Sequence, residues 1–317
     1  MRVLLTGAAG WLGRFLAPRL REKGHTVVGL DIAPSPRTDV VGTTADRELI
    51  KQVFGAFDID AVVHAGALHK PDIARFSSQN FVDANVSGTL NLLEAASAAG
   101  ARFVFTSTTS LMISQAIRDE NGGAAVFLDE NAGPLEPRNI YGVTKLAAEG
   151  LCRMHHLERG LACVILRTAR FFPEDDDTHR DIGGFNLKAN EFLYRRLAVE
   201  DCADAHVLAL ERAPEIGFGL FVISAPTPFR RTDAEGLKRD AASVIARHYP
   251  DALALYAQKG WRLPAAIGRV YDGRLAERAL GFRARVDFAA VLDAMRENRP
   301  PPFAHDPSFV SPSAALA

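Results

Sequence analysis

Tyr141-Gly-Val-Thr-Lys145 sets a phenol and an ammonium four residues apart where a helical pattern begins. Residues i and i+4 share a helix face, so the Lys145 ammonium comes near the Tyr141 ring. Free tyrosine titrates at about 10 and is a poor base at neutrality. A neighbouring cation favours the phenolate and draws that pKa toward working pH. Such a phenol takes a proton from an alcohol while hydride leaves the same carbon, or does the reverse. A hydroxyl from another strand end would orient the substrate oxygen, and Thr106-Ser107-Thr108-Thr109-Ser110 offers five. A Tyr-x-x-x-Lys pair alone is more often a solvated helix pair, so the chemistry rests on what accompanies it.

What accompanies it is a glycine-rich turn. Thr6-Gly7-Ala-Ala-Gly10-Trp-Leu-Gly13 follows the apolar run Val3-Leu4-Leu5 and opens a helical pattern from Trp11 to Glu22. In that context the triplet reads as a dinucleotide fingerprint, although its spacing is Gly-x-x-Gly-x-x-Gly. Gly7 allows the tight turn, Gly10 lets backbone approach a pyrophosphate, and Gly13 lets helix and strand pack closely. The helix N-terminus then points backbone N–H groups at the phosphates. Asp31 ends the second strand, 18 residues after Gly13. A carboxylate there accepts from ribose hydroxyls and repels a 2′-phosphate, which favours NAD. Arg37, on the next loop, keeps NADP as the alternative.

The elements that must position these residues alternate regularly. Strand-like runs at Thr26–Leu30, Ala61–His64, Arg102–Ser107 and Ala162–Arg167 are separated by helical patterns, among them Val86–Ala99 and Tyr141–Arg159. Apolar strands alternating with helices predict a parallel sheet covered on both faces. The fold class is therefore α/β, a Rossmann-type doubly wound parallel sheet with a smaller C-terminal substrate-binding region. Residues 1–170 are expected to form the cofactor domain. Residues 171–317 are expected to form mainly the substrate region, with 198–224 returning to the sheet through a helix (Ala203–Arg212) and a strand (Gly219–Ser224). Pro18 predicts a kink in the first helix, or a later start. Phe172–Asn190 reads as a loop-rich excursion, and 300–317 as an extended or mobile tail.

Composition narrows the class further. The 317 residues are 48% hydrophobic and 24% charged, with a net charge of 37 − 38 = −1. That is globular composition without an electrostatic footprint for nucleic acid or an anionic membrane. Three cysteines, Cys152, Cys163 and Cys202, lack disulfide or zinc spacing and read as buried small hydrophobes in a reducing cytoplasm. No metal site is expected. His155-His156 lack ligand partners, and Glu174-Asp-Asp-Asp177 reads as a solvated loop. His64 reads as a packed strand-end histidine, His69 and Lys70 as loop residues within reach of substrate but more simply solvated, and Phe171 and Phe172 as core or nicotinamide contacts.

Several segments together resemble the extended short-chain dehydrogenase/reductases, the NAD-dependent epimerase/dehydratase group. They are Thr6–Gly13, Val62-Val-His-Ala-Gly-Ala67, Asn85–Ala96, Phe103-Val-Phe-Thr-Ser-Thr108, Tyr141–Lys145 and Leu197–Ala205. The resemblance implies that Tyr141 is the acid/base, Lys145 its partner and ribose ligand, and Thr108 the orienting hydroxyl, with Ser107 and Thr109 as alternatives. It implies cofactor contacts from Gly7, Gly10, Trp11, Leu12, Gly13, Asp31, Ala65, Gly66, Ala67 and Asn85. It also implies a homodimer built on Val86–Ala99 and Tyr141–Arg159 through residues such as Leu92, Leu146 and Met154.

The departures from the family pattern matter as well. Thr109-Ser110 follow Thr108 where dehydratases carry Asp-Glu, so no adjacent acid and base expel water. Arg167-Thr-Ala-Arg170-Phe-Phe-Pro-Glu174 lacks the Asn that holds a sugar diphosphate in nucleotide-sugar members and looks more like members acting on free uronic acids. Arg170, with Thr108 and Thr109, is thus expected to meet the substrate, Arg170 pairing with a carboxylate and Arg167 a second candidate. The expected activity is NAD(P)-dependent hydride transfer on a small sugar, sugar acid or related carbonyl. A nucleotide-sugar epimerase using the same residues is the alternative, and a non-catalytic NAD(P)-sensing regulator a third.

Overall fold

The structure, a computed structural model, describes residues 1–119, 121–174, 182–305 and 308–315. Its strands in chain order are β1 (Arg2–Thr6), β2 (Thr26–Asp31), β3 (Val40–Val41), β4 (Ala61–His64), β5 (Arg102–Thr108), β6 (Val126–Leu128), β7 (Cys163–Thr168), β8 (Phe218–Ile223) and β9 (Arg269–Tyr271). Seven form one parallel sheet in the order β3-β2-β1-β4-β5-β7-β8, and β6 pairs with β9 separately. Successive strand side chains point to opposite faces. Val3 and Leu5 accordingly pack with Leu16 and Leu20 of the helix Trp11–Glu22, whereas Leu4 packs on the other face with Leu92, Leu93, Ala148 and Cys152. Truncating a fully buried leucine such as Leu16 to alanine would cost about 2–5 kcal/mol.

Several elements depart from the sequence reading. The first helix starts at Trp11 despite Pro18, whose ring sits on the exposed face, where the Arg14 carbonyl it leaves unbonded can be hydrated. A turn of π-helix over Asp83–Ser87 precedes the helix Gly88–Ala99. The excursion after Phe172 contains the helix Gly184–Glu191, while Asp175–Asp177 of the acidic run lie outside the described residues. The short strands β6 and β9 carry no alternation long enough to read. A separate apolar cluster, with Phe192, Val244, Ile245, Tyr256 and Phe288, gathers the C-terminal helices. The C-terminal segment is packed: Phe303 is buried, Phe309 lies on the first core cluster and Ser313 is buried.

Candidate active site

The chain leaves β1 toward β2 and β3, then returns to the other side of β1 at β4. That reversal opens a crevice at the carboxyl ends of β1 and β4. The turns after these strands touch there: a Cβ on Gly7 would meet the Gly66 nitrogen at 2.8 Å, and Gly7 has φ +73. A Cβ on Gly13 would lie 2.3 Å from the Gly7 carbonyl oxygen, so Gly13 acts by close packing and does not line the cavity. The helix Trp11–Glu22 begins at Gly10 with no side-chain cap and no acid in its first turn. Its leading N–H groups are thus available to an anion. The Asp31 carboxylate, raised in pKa by burial, accepts from the Ala9 and Ala33 N–H groups at 2.9 and 3.1 Å. These features border a cavity of about 880 Å³ whose wall also includes Trp11, Leu12, Ala65, Gly66 and Ala67. Uncapped helix, carboxylate and cavity together fit a dinucleotide.

A buried hydrogen-bond relay holds the Ala65–Ala67 wall. Thr6 Oγ1 accepts the Gly66 N–H at 3.0 Å and faces His64 Nδ1 at 2.7 Å. His64 Nε2 meets Thr89 Oγ1 at 3.0 Å, and the Thr89 hydroxyl donates to the Asn85 carbonyl. The chain of donors assigns His64 the Nε2–H tautomer. Burial, with Lys145 nearby, depresses its pKa to about 3, so it stays neutral. Asn85 accepts the Leu68 N–H and donates to the Leu68 carbonyl and to Thr144. It therefore supports the wall from behind and does not line the cavity, which corrects its reading as a cofactor contact.

Tyr141 and Lys145 enter the same cavity from the first and second turns of the helix Ile140–Arg159, which Asn139 caps. The three candidate hydroxyls separate cleanly. Ser107 donates to Glu149 at 2.5 Å, Thr109 donates to the Thr168 carbonyl at 3.2 Å, and Thr108 donates to Ser110 Oγ at 3.0 Å while lying near enough to the Tyr141 phenol to lower its pKa. Lys145 Nζ donates to the Thr106 carbonyl at 2.8 Å and sits 4.6 Å from the Phe105 ring centroid. Burial lowers its pKa to about 8. Burial also pushes Tyr141 up to about 12, a push that Thr108 opposes. The cation-driven depression read from the spacing does not appear in this cleft, where desolvation and the Asp72 charge raise the phenol and Thr108, not Lys145, lowers it.

Arg167 corrects a second expectation. It is 3% exposed and forms a bidentate pair with Glu149, Nε–Oε1 3.0 Å and Nη2–Oε2 2.7 Å. A guanidinium so used cannot meet substrate; it braces β7 against the helix that carries Tyr141. Arg170 does line the cavity, bonded through Nη2 to the Glu174 carbonyl. Arg118, Arg138 and Arg269 line it as well, and the Arg118 guanidinium, lowered in pKa first by burial, feels the positive charges of the other two. These three are scattered over the short helix Gln115–Arg118, the residue before the Asn139 cap and β9, so no local pattern marks them.

Of its two readings, His69 follows the one that reaches the site and not the solvated one. It lines the cavity, its ring 6.1 Å from that of Tyr141 and 5.1 Å from that of Phe172. Its Nδ1 is buried without a partner among the described residues, and burial lowers its pKa to about 4. Lys70 borders the cavity too, as do Phe171 and Phe172, stacked at 4.4 Å. All three cysteines are buried and free. Among the described residues no cluster of potential metal ligands occurs, and no helix is long and apolar enough to cross a membrane.

Residues 3–218 match the NAD dependent epimerase/dehydratase family. The chain is 30% identical to a UDP-glucose 4-epimerase of Streptomyces lividans, covering 96% of this chain and 98% of that protein. It is 27% identical to a 4-hydroxy-2-methyl-3-oxo-4-farnesyl-3,4-dihydroquinoline-1-oxide ketoreductase of Stigmatella aurantiaca, over 95% of this chain and 97% of that one. A short-chain dehydrogenase/reductase superfamily protein from Agrobacterium tumefaciens, solved with bound NAD, superposes with a TM-score of 0.65 at 25% identity, covering 94% and 95% of the two chains.

Proposed function

The chain belongs to the NAD-dependent epimerase/dehydratase family, the extended short-chain dehydrogenase/reductases, and from that premise we propose that it is an NAD-dependent oxidoreductase acting on the C–OH or C=O of a small anionic sugar, sugar acid or related compound. The observation that carries this reading is that Thr108, Tyr141 and Lys145 line the same cavity that the Gly7–Leu12 turn also walls. The nicotinamide supplies the two-electron hydride acceptor or donor when bound. Gly7, Gly10, Trp11, Leu12 and the Ala65–Ala67 wall would hold the dinucleotide, Asp31 would take the adenosine ribose hydroxyls, and Lys145 would take the ribose beside the ring.

The protein's part of the chemistry is the proton. Tyr141 receives it from the carbinol in oxidation and returns it in reduction, with Thr108 fixing the oxygen between them. The phenol, raised by burial, is protonated at neutral pH, which is the form that donates in carbonyl reduction. Arg170, Arg118, Arg138 and Arg269 give the substrate side a cationic wall suited to a carboxylate or phosphoryl group. Residues 1–170 act as the cofactor domain and 171–317 mainly as the substrate region. The exposed Val143, Met154 and Leu157, along one face of the helix Ile140–Arg159, are offered to a second copy in a homodimer; Leu92 is buried in the core and cannot take part. Free buried thiols suit a reducing cytoplasm.

A second reading, a nucleotide-sugar epimerase, is favoured by the full-length similarity to the Streptomyces epimerase. Purified protein incubated with NAD or NADP and uronates, aldoses, polyols or phosphorylated sugars, followed at 340 nm, separates the two. Net NADH formation supports the oxidoreductase. Silence there, with interconversion of UDP-sugars seen by chromatography, sinks it in favour of the epimerase.

A further inference from the structure

The C-terminal segment crosses the crevice. Phe309 packs on Trp11, ring centroids 4.9 Å apart, and the Arg14 guanidinium lies 5.4 Å from the Phe309 ring. Trp11 is the first residue of the helix that opens the β1 lip, and its indole N–H is anchored on the Phe171 carbonyl at 3.1 Å. Four residues after Phe309, the Ser313 hydroxyl donates to Asp72 Oδ1 at 2.8 Å. Asp72 is 1% exposed and belongs to the loop after β4, the opposite lip. Its other oxygen accepts the backbone N–H of His69, whose ring lies beside Tyr141. Four extended residues span at most about 14 Å, enough to bridge a crevice and no more.

The strap closes the cavity without filling it. Phe309, Val310, Ser311 and Ser313 are wall residues of a space that still measures about 880 Å³. A bound dinucleotide would leave or enter through the gap this segment covers, because the β1/β4 switch point is where the nucleotide crosses the sheet edge. Resting on the dinucleotide reading above, we propose that Phe309 and Ser313 are cofactor-retaining residues: they pin a strap across both lips of the crevice and slow release of the bound dinucleotide. Ser313 acts through Asp72 and is a positioning residue. Asp72 holds the loop that carries His69, so the latch is also joined to the wall beside Tyr141.

The test uses the full chain, a chain ending at residue 307, and the variants Phe309→Ala and Ser313→Ala. Each is loaded with NADH, mixed with excess NAD, and followed by the fluorescence of bound NADH. The wild-type chain is expected to release slowest. A hydrogen bond to a buried carboxylate is worth roughly a tenfold change, so Ser313→Ala should release roughly tenfold faster and the shortened chain at least as fast. Thermal midpoints without cofactor check that Ser313→Ala is still folded, so faster release is not a loss of structure. If the wild type binds NADH and all variants release it within twofold of its rate, the strap is overturned while the cofactor reading stands. Tighter binding after shortening overturns it too, since the segment would then be an obstruction. If the wild type holds no NADH, the cofactor reading itself falls and the strap with it.

Discussion

Thr108, the last residue of β5, and Tyr141, in the first turn of a helix beginning 32 residues later at Ile140, line the same cavity, where Thr108 opposes the rise that burial gives the phenol's pKa. The sheet edge and the helix thus bring both hydroxyl-bearing side chains to one cavity wall. Tyr141→Phe removes the proton carrier and leaves the ring in place. Turnover in either direction should fall by about 10²–10⁴, with NADH affinity nearly unchanged. A variant retaining more than a tenth of wild-type turnover would assign the proton to another group.

Asp31 should decide between the two nicotinamide cofactors. Asp31→Ser removes the carboxylate that meets the ribose hydroxyls, while Arg37, bonded through Nε to the Ala8 carbonyl at 3.1 Å, stays at hand. The ratio of kcat/KM with NAD to that with NADP should drop by at least about tenfold. An unchanged ratio would place the adenosine ribose elsewhere.

Breaking the Glu149–Arg167 pair is a stability experiment. Arg167→Ala leaves a buried carboxylate with only Ser107 for a partner, and losing one member of such a pair costs about 3–5 kcal/mol. Urea denaturation should show a lower midpoint at an unchanged slope. If stability holds while KM for anionic substrates climbs, Arg167 would return to the list of substrate ligands.

Arg138→Ala and Arg269→Ala should act on substrate binding. Each removes one cation from the cavity wall and should raise KM for carboxylated or phosphorylated substrates by roughly 5–50-fold, leaving kcat within about threefold. Neutral polyols should show no such change. Equal effects on neutral and anionic substrates would mean the arginines merely shape the wall.

Acid should loosen the protein through its buried histidines. His64, His69 and His206 have pKa values depressed by burial to about 3, about 4 and about 4. The unfolded chain takes up protons near pH ~6.5 and the folded chain does not, so the unfolded state binds more protons below that pH. Their contribution is complete above about 6.5 and is lost as pH falls through the folded values. The thermal midpoint should therefore slide between about pH 6.5 and 4. A flat midpoint over that window would contradict neutral burial of these rings.

What the sequence made legible was whatever one short segment encodes by itself. The Gly7–Gly13 turn, the strands β1 and β4 and the helix carrying Tyr141 all announce themselves through periodicity and punctuation. Arg167 and Arg170 look alike in sequence, yet β7 points one at Glu149 and lets the other reach the cavity; partners distant along the chain make that difference. His69 passes for loop until Asp72 caps its turn and Phe172 closes over it. The Tyr141 pKa could not be read from the lysine spacing, because desolvation is a property of the assembled cleft. Phe309 and Ser313 reach the site from the far end of the chain, with no motif to mark them.

The π-helical turn at Asp83–Ser87 amounts to one residue inserted into a helix. Removing one residue there would leave a helix of ordinary pitch, yet would rotate everything before it by about 100° relative to the face carrying Leu92. Phe81 would swing out of the core and Asn85 would lose Leu68. A deletion this small, in a segment that borders the cavity at Ala84, would thus unseat the pocket's floor, and a helix of better local geometry would make a worse protein.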